Sequence, residues 1–269
     1  MKRLIFCLIL IPCQLFAAEA DDDYLLSLVR IDEMVDVVRE EGLSEYQGMP
    51  FDFFGGDFGN IWTDGLDRVF NEIELTNSIE QDFLNVIGET PRADIVSFLE
   101  SDAWQVAVDY ELKGRIAMLD PDVGDAAMTA YWNSFEKNTR RFQDITDLIE
   151  TGDLINSNVV GAMNSMYEFN VGMISEGLDL GMSEDDILVQ IWSEEDSLRF
   201  DISEWIYSFL LLAYDPLETD LLQEQIEFFK TSEGKRFNRA LIESFDRAYS
   251  RISFELGAAI AILAREQVL

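Results

Sequence analysis

"LLQEQIEFFKTSEGKRFNRALIESFDRAYSRISFELGAAIA", residues 221–261, carries the clearest helical pattern in the chain. Its apolar positions recur every three or four residues, which is the spacing of one buried stripe on a helix. They are Phe237, Leu241, Phe245, Ala248, Ile252, Leu256, Ala259 and Leu263. The pattern predicts a short helix, a turn and one long helix between Pro216 and about Ala264. Thr231 or Ser232 is the expected cap between the two helices.

The rest of the chain also shows helical spacing, and no stretch alternates apolar and polar residues with period two. We therefore predict an all-α fold, a compact multi-helix domain over residues 21–269. The alternative is two related helical-hairpin halves, about 61–150 and 183–269. Gly42 is expected to end the first helix, and a break is expected near Asn77. The predicted helices outside the terminal pair are 22–41, two between 61 and 87, 90–100, 103–119, 122–150, 154–175, 184–192 and 194–214.

The first twenty residues have the pattern of a secretory signal peptide. Lys2 and Arg3 precede a short apolar run, and small residues follow it at Ala18 and Ala20. Cleavage would remove both cysteines of the chain, so the mature protein would be cysteine-free. We expect export to a Gram-negative periplasm, with no stable membrane anchor after cleavage.

Composition excludes several kinds of site. The chain has no histidine, and its 2 cysteines both lie in the leader, so His or Cys zinc sites and histidine-based triads are ruled out. We predict no catalytic, cofactor-binding or metal-binding residues, and no cofactor. The formal net charge of −34 would repel nucleic acid. Such charge indicates either a solvated, soluble surface of the kind suited to a salty habitat, or cation binding.

An internal similarity links two segments 130 residues apart. The shift places Phe98-Leu99-Glu100-Ser101 over Phe228-Phe229-Lys230-Thr231. In both segments a short helix ends in two bulky residues before a hydroxyl residue caps a longer helix. An old duplication and chance similarity between two amphipathic hairpins are both open.

A glycine-rich, aromatic segment, residues 44–60, breaks the helical pattern after the first predicted helix and is predicted to be a loop. Its rings are numerous for a loop in water, so they either pack into the core or form an exposed binding surface. The candidate partner-binding residues are Tyr46, Phe51, Phe53, Phe54, Phe58 and Trp62.

Glycine inside a helix costs about 1 kcal/mol relative to alanine, and three of the glycines in the predicted helices bear on how the helices pack. They are Gly161, Gly172 and Gly234. A close approach between helices would explain them. For Gly234 this structural role is preferred over contact with a ligand.

Residues 226–241, "IEFFKTSEGKRFNRAL", resemble the signature of a bacterial envelope family called domain of unknown function 2059. Its members carry an aromatic pair, a Ser or Thr, and a Gly three residues later. Here these are Phe228, Phe229, Thr231 and Gly234. The segments "DLINSNVVGAMNSMYEF" and "ISEWIYSFLLLAYDPLETD" resemble longer members from marine alphaproteobacteria. The earlier segment of the internal similarity departs from the signature, with Trp104 at the glycine position. The resemblance implies an exported helical protein and implies no activity.

Three hypotheses for function follow. The first is a non-enzymatic, exported protein that binds an unknown protein or envelope component. The second is a hydrolase of wall or polysaccharide, with two carboxyl groups about 5–9 Å apart across a cleft. The third is a cation-binding protein. With 53 acidic residues, the sequence alone singles out no carboxylate pair.

Overall fold

The structure is a computed structural model that describes residues 22–50 and 59–267. In these ranges the regular elements are all α-helices, which confirms the predicted all-α fold. The elements are α1 (Asp22–Val29), α2 (Ile31–Tyr46), α3 (Gly59–Val69), α4 (Glu72–Ile87), α5 (Ala93–Leu99), α6 (Asp102–Ala117), α7 (Pro121–Lys137), α8 (Arg140–Thr151), α9 (Leu154–Ser175), α10 (Glu184–Ser193), α11 (Glu195–Ala213), α12 (Thr219–Lys230) and α13 (Ser232–Gln267).

The predicted terminal pair of helices is present as α12 and α13. The Thr231 hydroxyl accepts a hydrogen bond from Gly234 N at 2.9 Å and so caps the start of α13. The predicted stripe is buried or half-buried along its whole length, from Phe237 at 0% exposure to Leu263 at 3%. This helix is the axis of the fold: α9, α4, α12 and α3 all pack against it.

The closest helix packing joins α9 and α13, which run parallel to each other. Near their starts the Asn238 side chain donates to Gly152 O at 3.0 Å, and near their ends Arg265 pairs with Glu176 at 2.7 Å. Between these points Gly172 and Gly257 face the opposite backbone. A Cβ on Gly172 would lie 2.0 Å from Phe254 O, and a Cβ on Gly257 would lie 2.0 Å from Phe169 O. We call this reciprocal contact the glycine seam.

The predicted role of Gly234 is also confirmed. A Cβ at this position would lie 2.0 Å from Phe228 O and 3.0 Å from Phe229 Cα. Only glycine therefore lets the end of α12 contact the first turn of α13. Gly161 has a milder constraint, since its Cβ would lie 2.7 Å from the Asp246 carboxylate.

An aromatic core surrounds the start of α13. Phe98 stacks on Phe228 with ring centroids 3.9 Å apart, although the two residues lie 130 positions apart and are equivalent in the internal similarity. Trp104, at the position equivalent to Gly234, packs edge-on against Phe237 at 5.2 Å. The equivalent segments are thus in contact, while their origin by duplication stays a prediction.

The prediction of one helix over 22–41 is wrong in two respects, its continuity and its end. The chain breaks at Arg30, whose backbone adopts the left-handed conformation with φ 66°. The guanidinium pairs there with Glu33 and with Asp109 of α6. Gly42 does not end the second segment, because the ring of Phe70 packs where a Cβ would be and the helix continues to Tyr46.

Two other breaks were also misplaced. The break expected near Asn77 lies at Asn71, whose side chain accepts from Glu74 N at 3.1 Å. The single helix expected over 122–150 divides at Asn138, which is left-handed with φ 48°. Thr139 then caps α8 by accepting from Phe142 N at 3.1 Å. Both breaks have side-chain caps of the usual chemistry.

The very apolar segment 205–214 forms the end of α11 and its C-terminal cap; residues 206–214 are buried or half-buried, with Tyr214 at 0% exposure, whereas Trp205 is 42% exposed. In the two described ranges, none of the helices combines the length and apolar character needed to cross a membrane.

Candidate ligand-binding cleft

The predicted partner-binding residues divide into three groups. Phe51, Phe53, Phe54 and Phe58 lie outside the described residues. Trp62 lies on α3 at 4% exposure, and its indole N–H donates to Tyr46 O at 2.9 Å. Trp62 therefore supports the end of α2 from inside and offers no contact surface.

Of the two predicted contact residues that the structure describes, Tyr46 lines a cavity. The cavity is an open cleft of about 440 Å³ between α2, α6, α9, α11 and α13. Its walls mix charged, hydroxyl and aromatic side chains. They are Val38, Glu41, Gly42, Ser44, Glu45, Tyr46, Phe70, Arg115, Met118, Leu119, Ser165, Trp205, Tyr249, Ile252 and Ser253.

Arg115 of α6 is the centre of the cleft wall. Its guanidinium makes a two-pronged ion pair with Glu41 of α2, with Nε donating to Oε1 at 2.8 Å and Nη2 to Oε2. The guanidinium also lies 5.9 Å from the centre of the Trp205 ring. Burial lowers the pKa of Arg115, but the neighbouring Tyr249 and Glu41 outweigh burial and raise it. The side chain is thus a fixed, permanently charged part of the wall.

Helix α2 supplies both carboxylates found among the described residues of the cleft. Glu41 and Glu45 are four residues apart, so they lie on the same face of the helix one turn from each other. Glu41 is occupied by Arg115, whereas Glu45 is exposed at the mouth beside Tyr46. Burial, followed by the charge of Glu45, raises the pKa of Tyr46, so its ring is neutral and its hydroxyl keeps its proton.

A buried polar network continues inward from Arg115. Glu111 precedes Arg115 by one helical turn and accepts a short hydrogen bond from the Tyr214 hydroxyl. The Gln225 amide donates to that same hydroxyl at 3.1 Å. Burial raises the pKa of Glu111, against the opposing effects of Tyr214 and Arg115. It also raises the pKa of Tyr214 well above its usual value. The network joins α6, α11 and α12 behind the cleft.

The cleft favours binding over acid–base chemistry. A glycoside hydrolase needs two carboxyl groups that flank the scissile bond, one of them able to exchange its proton. Here both carboxylates stand on one wall, and both oxygens of Glu41 are held by Arg115. Throughout residues 22–50 and 59–267, no group of three or more His, Cys, Asp or Glu residues could hold a metal ion.

The signature residues lie away from the cleft. Phe228 and Phe229 belong to the aromatic core, and Thr231 and Gly234 form the tight turn into α13. Their positions are structural, in the core and at the turn between α12 and α13.

Sequence reasoning missed the residues that form the cleft. Glu41, Arg115, Trp205 and Tyr249 come from four helices, and their spacing in the chain carries no signal of proximity. Arg115 has one local signal, since a carboxylate precedes it by four residues at Glu111. That signal indicates an ordinary helical ion pair rather than a site.

Comparison with known proteins adds no assignment. No family model matches the sequence, and no curated protein or solved structure matches it.

Proposed function

We propose that this chain is a non-enzymatic binding protein whose cleft takes a small organic cation with an apolar body. The observation that carries the proposal is the arrangement around Arg115, where the one guanidinium among the described lining residues is already paired with Glu41. The carboxylate left at the mouth is that of Glu45.

Charge supports a cationic ligand. The part of the lining that the structure describes carries two carboxylates and one guanidinium, and the whole chain carries a formal net charge of −34. Such a field attracts cations to the cleft and repels anions. A carboxylate ligand would also have to displace Glu41 from a two-pronged ion pair before it reached Arg115.

Shape and aromatic content support a ligand with an apolar body. A volume of about 440 Å³ falls within the ordinary range of small-molecule sites. Tyr46, Trp205 and Tyr249 contribute rings to the walls, and ring faces attract ammonium groups. Met118, Leu119 and Ile252 supply the apolar surface.

The test is calorimetric titration of the full chain with matched probes. 2-Phenylethylamine and benzyltrimethylammonium are the cationic probes, 2-phenylethanol is the neutral one, and 3-phenylpropionate is the anionic one. We expect the cations to bind and the other two to bind at least tenfold more weakly.

Two variants assign binding to the cleft. Glu45→Gln should lower affinity for the cations about fivefold (~1 kcal/mol), and Trp205→Leu by a similar or larger factor. Glu40→Gln is the matched control, because Glu40 is exposed on the same helix and does not line the cleft. Equal binding of the neutral and cationic probes, or an equal loss in the control, would contradict the proposal.

We also propose that the protein is exported to the periplasm and belongs to the domain of unknown function 2059 family. The leader pattern of residues 1–20 and the hairpin residues around Gly234 support this, the latter because they form the tight turn that such a signature would preserve. Mass spectrometry of the protein from its native host should find a mature chain that begins after Ala17, Ala18 or Ala20. An intact N-terminus on the functional protein would overturn export by this leader.

A further inference from the structure

Helix α10 exposes an apolar face to solvent. Leu188, Val189 and Trp192 are 37%, 70% and 64% exposed, and their spacing places them on one side of the helix. The opposite side carries Ile187 and Ile191, which are 3% and 4% exposed and fix α10 to the fold. The helix packs mainly on α9 and α11. We call the three exposed residues the α10 face.

Acidic residues border the α10 face at both ends. Glu184, Asp185 and Asp186 stand at the start of the helix, and residues 194–196 (Glu-Glu-Asp) follow its end. Some of these carboxylates are used locally, since Asp186 closes a capping box with Ser183 and Glu195 pairs with Arg199. Asp185, Glu194 and Asp196 are exposed.

The charge around this face is one-sided. Arg199 is the only basic residue in the sequence between Arg141 and Lys230. The helix has 10 residues and is therefore about 15 Å long, so the two acidic ends lie roughly three helical turns apart.

We propose that the α10 face is the docking site for a cationic amphipathic helix of a partner protein. The partner helix would lay an apolar stripe on Leu188, Val189 and Trp192, and its basic residues at either end would meet the two acidic groups. Trp192 is the expected anchor, because a tryptophan offers the largest apolar area for burial at such a contact. This inference does not depend on the cleft or on its ligand.

A second copy of this chain fits the face poorly. A two-fold contact places the same patch on both subunits, so each acidic end of one α10 would meet an acidic end of the other. Like charges brought together in this way oppose association. A basic partner would not meet this repulsion, and it would contact both the apolar residues and the acidic groups of the surface.

The test uses the full chain and a designed 18-residue helical peptide with a leucine stripe and two lysines at each end. A second peptide carries glutamate in place of lysine. Calorimetry at 150 mM salt should detect the lysine peptide and should not detect the glutamate peptide. The double variant Val189→Ser/Trp192→Ser should weaken binding of the lysine peptide at least tenfold.

Two matched controls separate docking from general attraction to an acidic protein. Ile73→Ser changes an apolar residue of α4 that is 70% exposed, the same fraction as Val189, and should leave affinity unchanged. Asp185→Asn/Asp196→Asn should weaken binding several-fold, and Asp64→Asn/Asp67→Asn on α3 should not. All these side chains are exposed, so circular dichroism should show an intact fold.

Several results would overturn the proposal. They are no binding of the lysine peptide, an equal loss in the Ile73 or α3 variants, or equal binding of the glutamate peptide. A dimer in analytical ultracentrifugation that Val189→Ser/Trp192→Ser abolishes would also overturn it, because the face would then bind a second copy.

Discussion

The glycine seam and the Arg115 cleft are built on the same helix, one to two turns apart, and they pack in opposite ways. At Gly257, α13 touches the backbone of α9, and the contact admits no additional atom. At Tyr249 and Ser253, α13 carries larger or polar side chains, and the neighbouring helices leave an open space of about 440 Å³. At Gly257 the absence of a side chain therefore lets α13 touch α9. At Tyr249 and Ser253 larger or polar side chains stand beside an open cleft.

The largest expected effect is at the seam. Gly257→Ala would place a methyl group 2.0 Å from Phe169 O, which is backbone and cannot move aside without separating the helices. We expect a loss of about 3 kcal/mol in the free energy of unfolding, measured by urea denaturation.

Two control variants provide reference values for the urea denaturation of Gly257→Ala. Gly65→Ala adds the same methyl group to α3, where no atom lies within 4 Å of the new Cβ, and should stabilise by about 0.5–1 kcal/mol. Ser253→Ala, one turn from Gly257 and facing the cleft, should change stability by less than about 0.5 kcal/mol. A loss at Ser253 as large as that at Gly257 would remove the contrast between seam and cleft.

The second effect is at the polar network behind the cleft. Tyr214→Phe removes the hydroxyl that donates to Glu111 and accepts from Gln225. Both partners would lose this hydrogen bond, Gln225 while buried and Glu111 while half-buried, at a cost of about 2 kcal/mol in the free energy of unfolding. Tyr167→Phe is the control, since the Tyr167 hydroxyl donates to Glu184 at the surface and should leave the urea midpoint unchanged. A loss of much less than about 2 kcal/mol in the free energy of unfolding of Tyr214→Phe would contradict this prediction and would mean that water replaces the hydroxyl.

The third prediction concerns pH and Glu111. Because burial raises the pKa of this carboxyl above its usual 4.5 in the folded protein, the folded state holds the proton more tightly than the unfolded state. Its contribution to stability is therefore complete below pH 4.5 and falls as pH rises through the folded pKa. Glu111→Gln cannot titrate. The free energy of unfolding of the parent chain relative to this variant should decline from pH 4 to pH 8; a relative gain with pH would contradict the assigned cause.

The seam and the cleft also differ in how well they could be predicted from the sequence. The stripe on α13, a cap at Thr231 or Ser232 and the close approach at Gly234 were predicted, because each depends on spacing or on a backbone requirement of one residue. The break at Arg30 was not, since Asp109 stabilises it from a distant helix. Gly42 resembled a helix end because nothing near it in sequence indicates that Phe70 covers it.

The cleft could not be predicted from the sequence, again because residues that are distant in the chain form it. Glu41, Arg115, Trp205 and Tyr249 follow one another in the chain at separations of between 44 and 90 residues, and their meeting depends on the register of four packed helices. Of the residues predicted as a contact surface and described by the structure, Tyr46 lines the cleft and Trp62 is buried. An aromatic residue in a glycine-rich segment does not indicate by itself whether it will face solvent.

The smallest expected effect is at the end of the seam, where Arg265 pairs with Glu176 at 2.7 Å. The two side chains are 53% and 36% exposed, so water and salt screen their attraction and the pair pays the entropy of ordering two long side chains. A double-mutant cycle with Arg265→Ala and Glu176→Ala should give a coupling energy below about 0.5 kcal/mol, which disappears in 1 M salt. The same two helices would then depend on their glycines and hardly on their charges. A coupling energy above 1 kcal/mol would show instead that this ion pair, rather than the glycine seam alone, holds α9 and α13 in register.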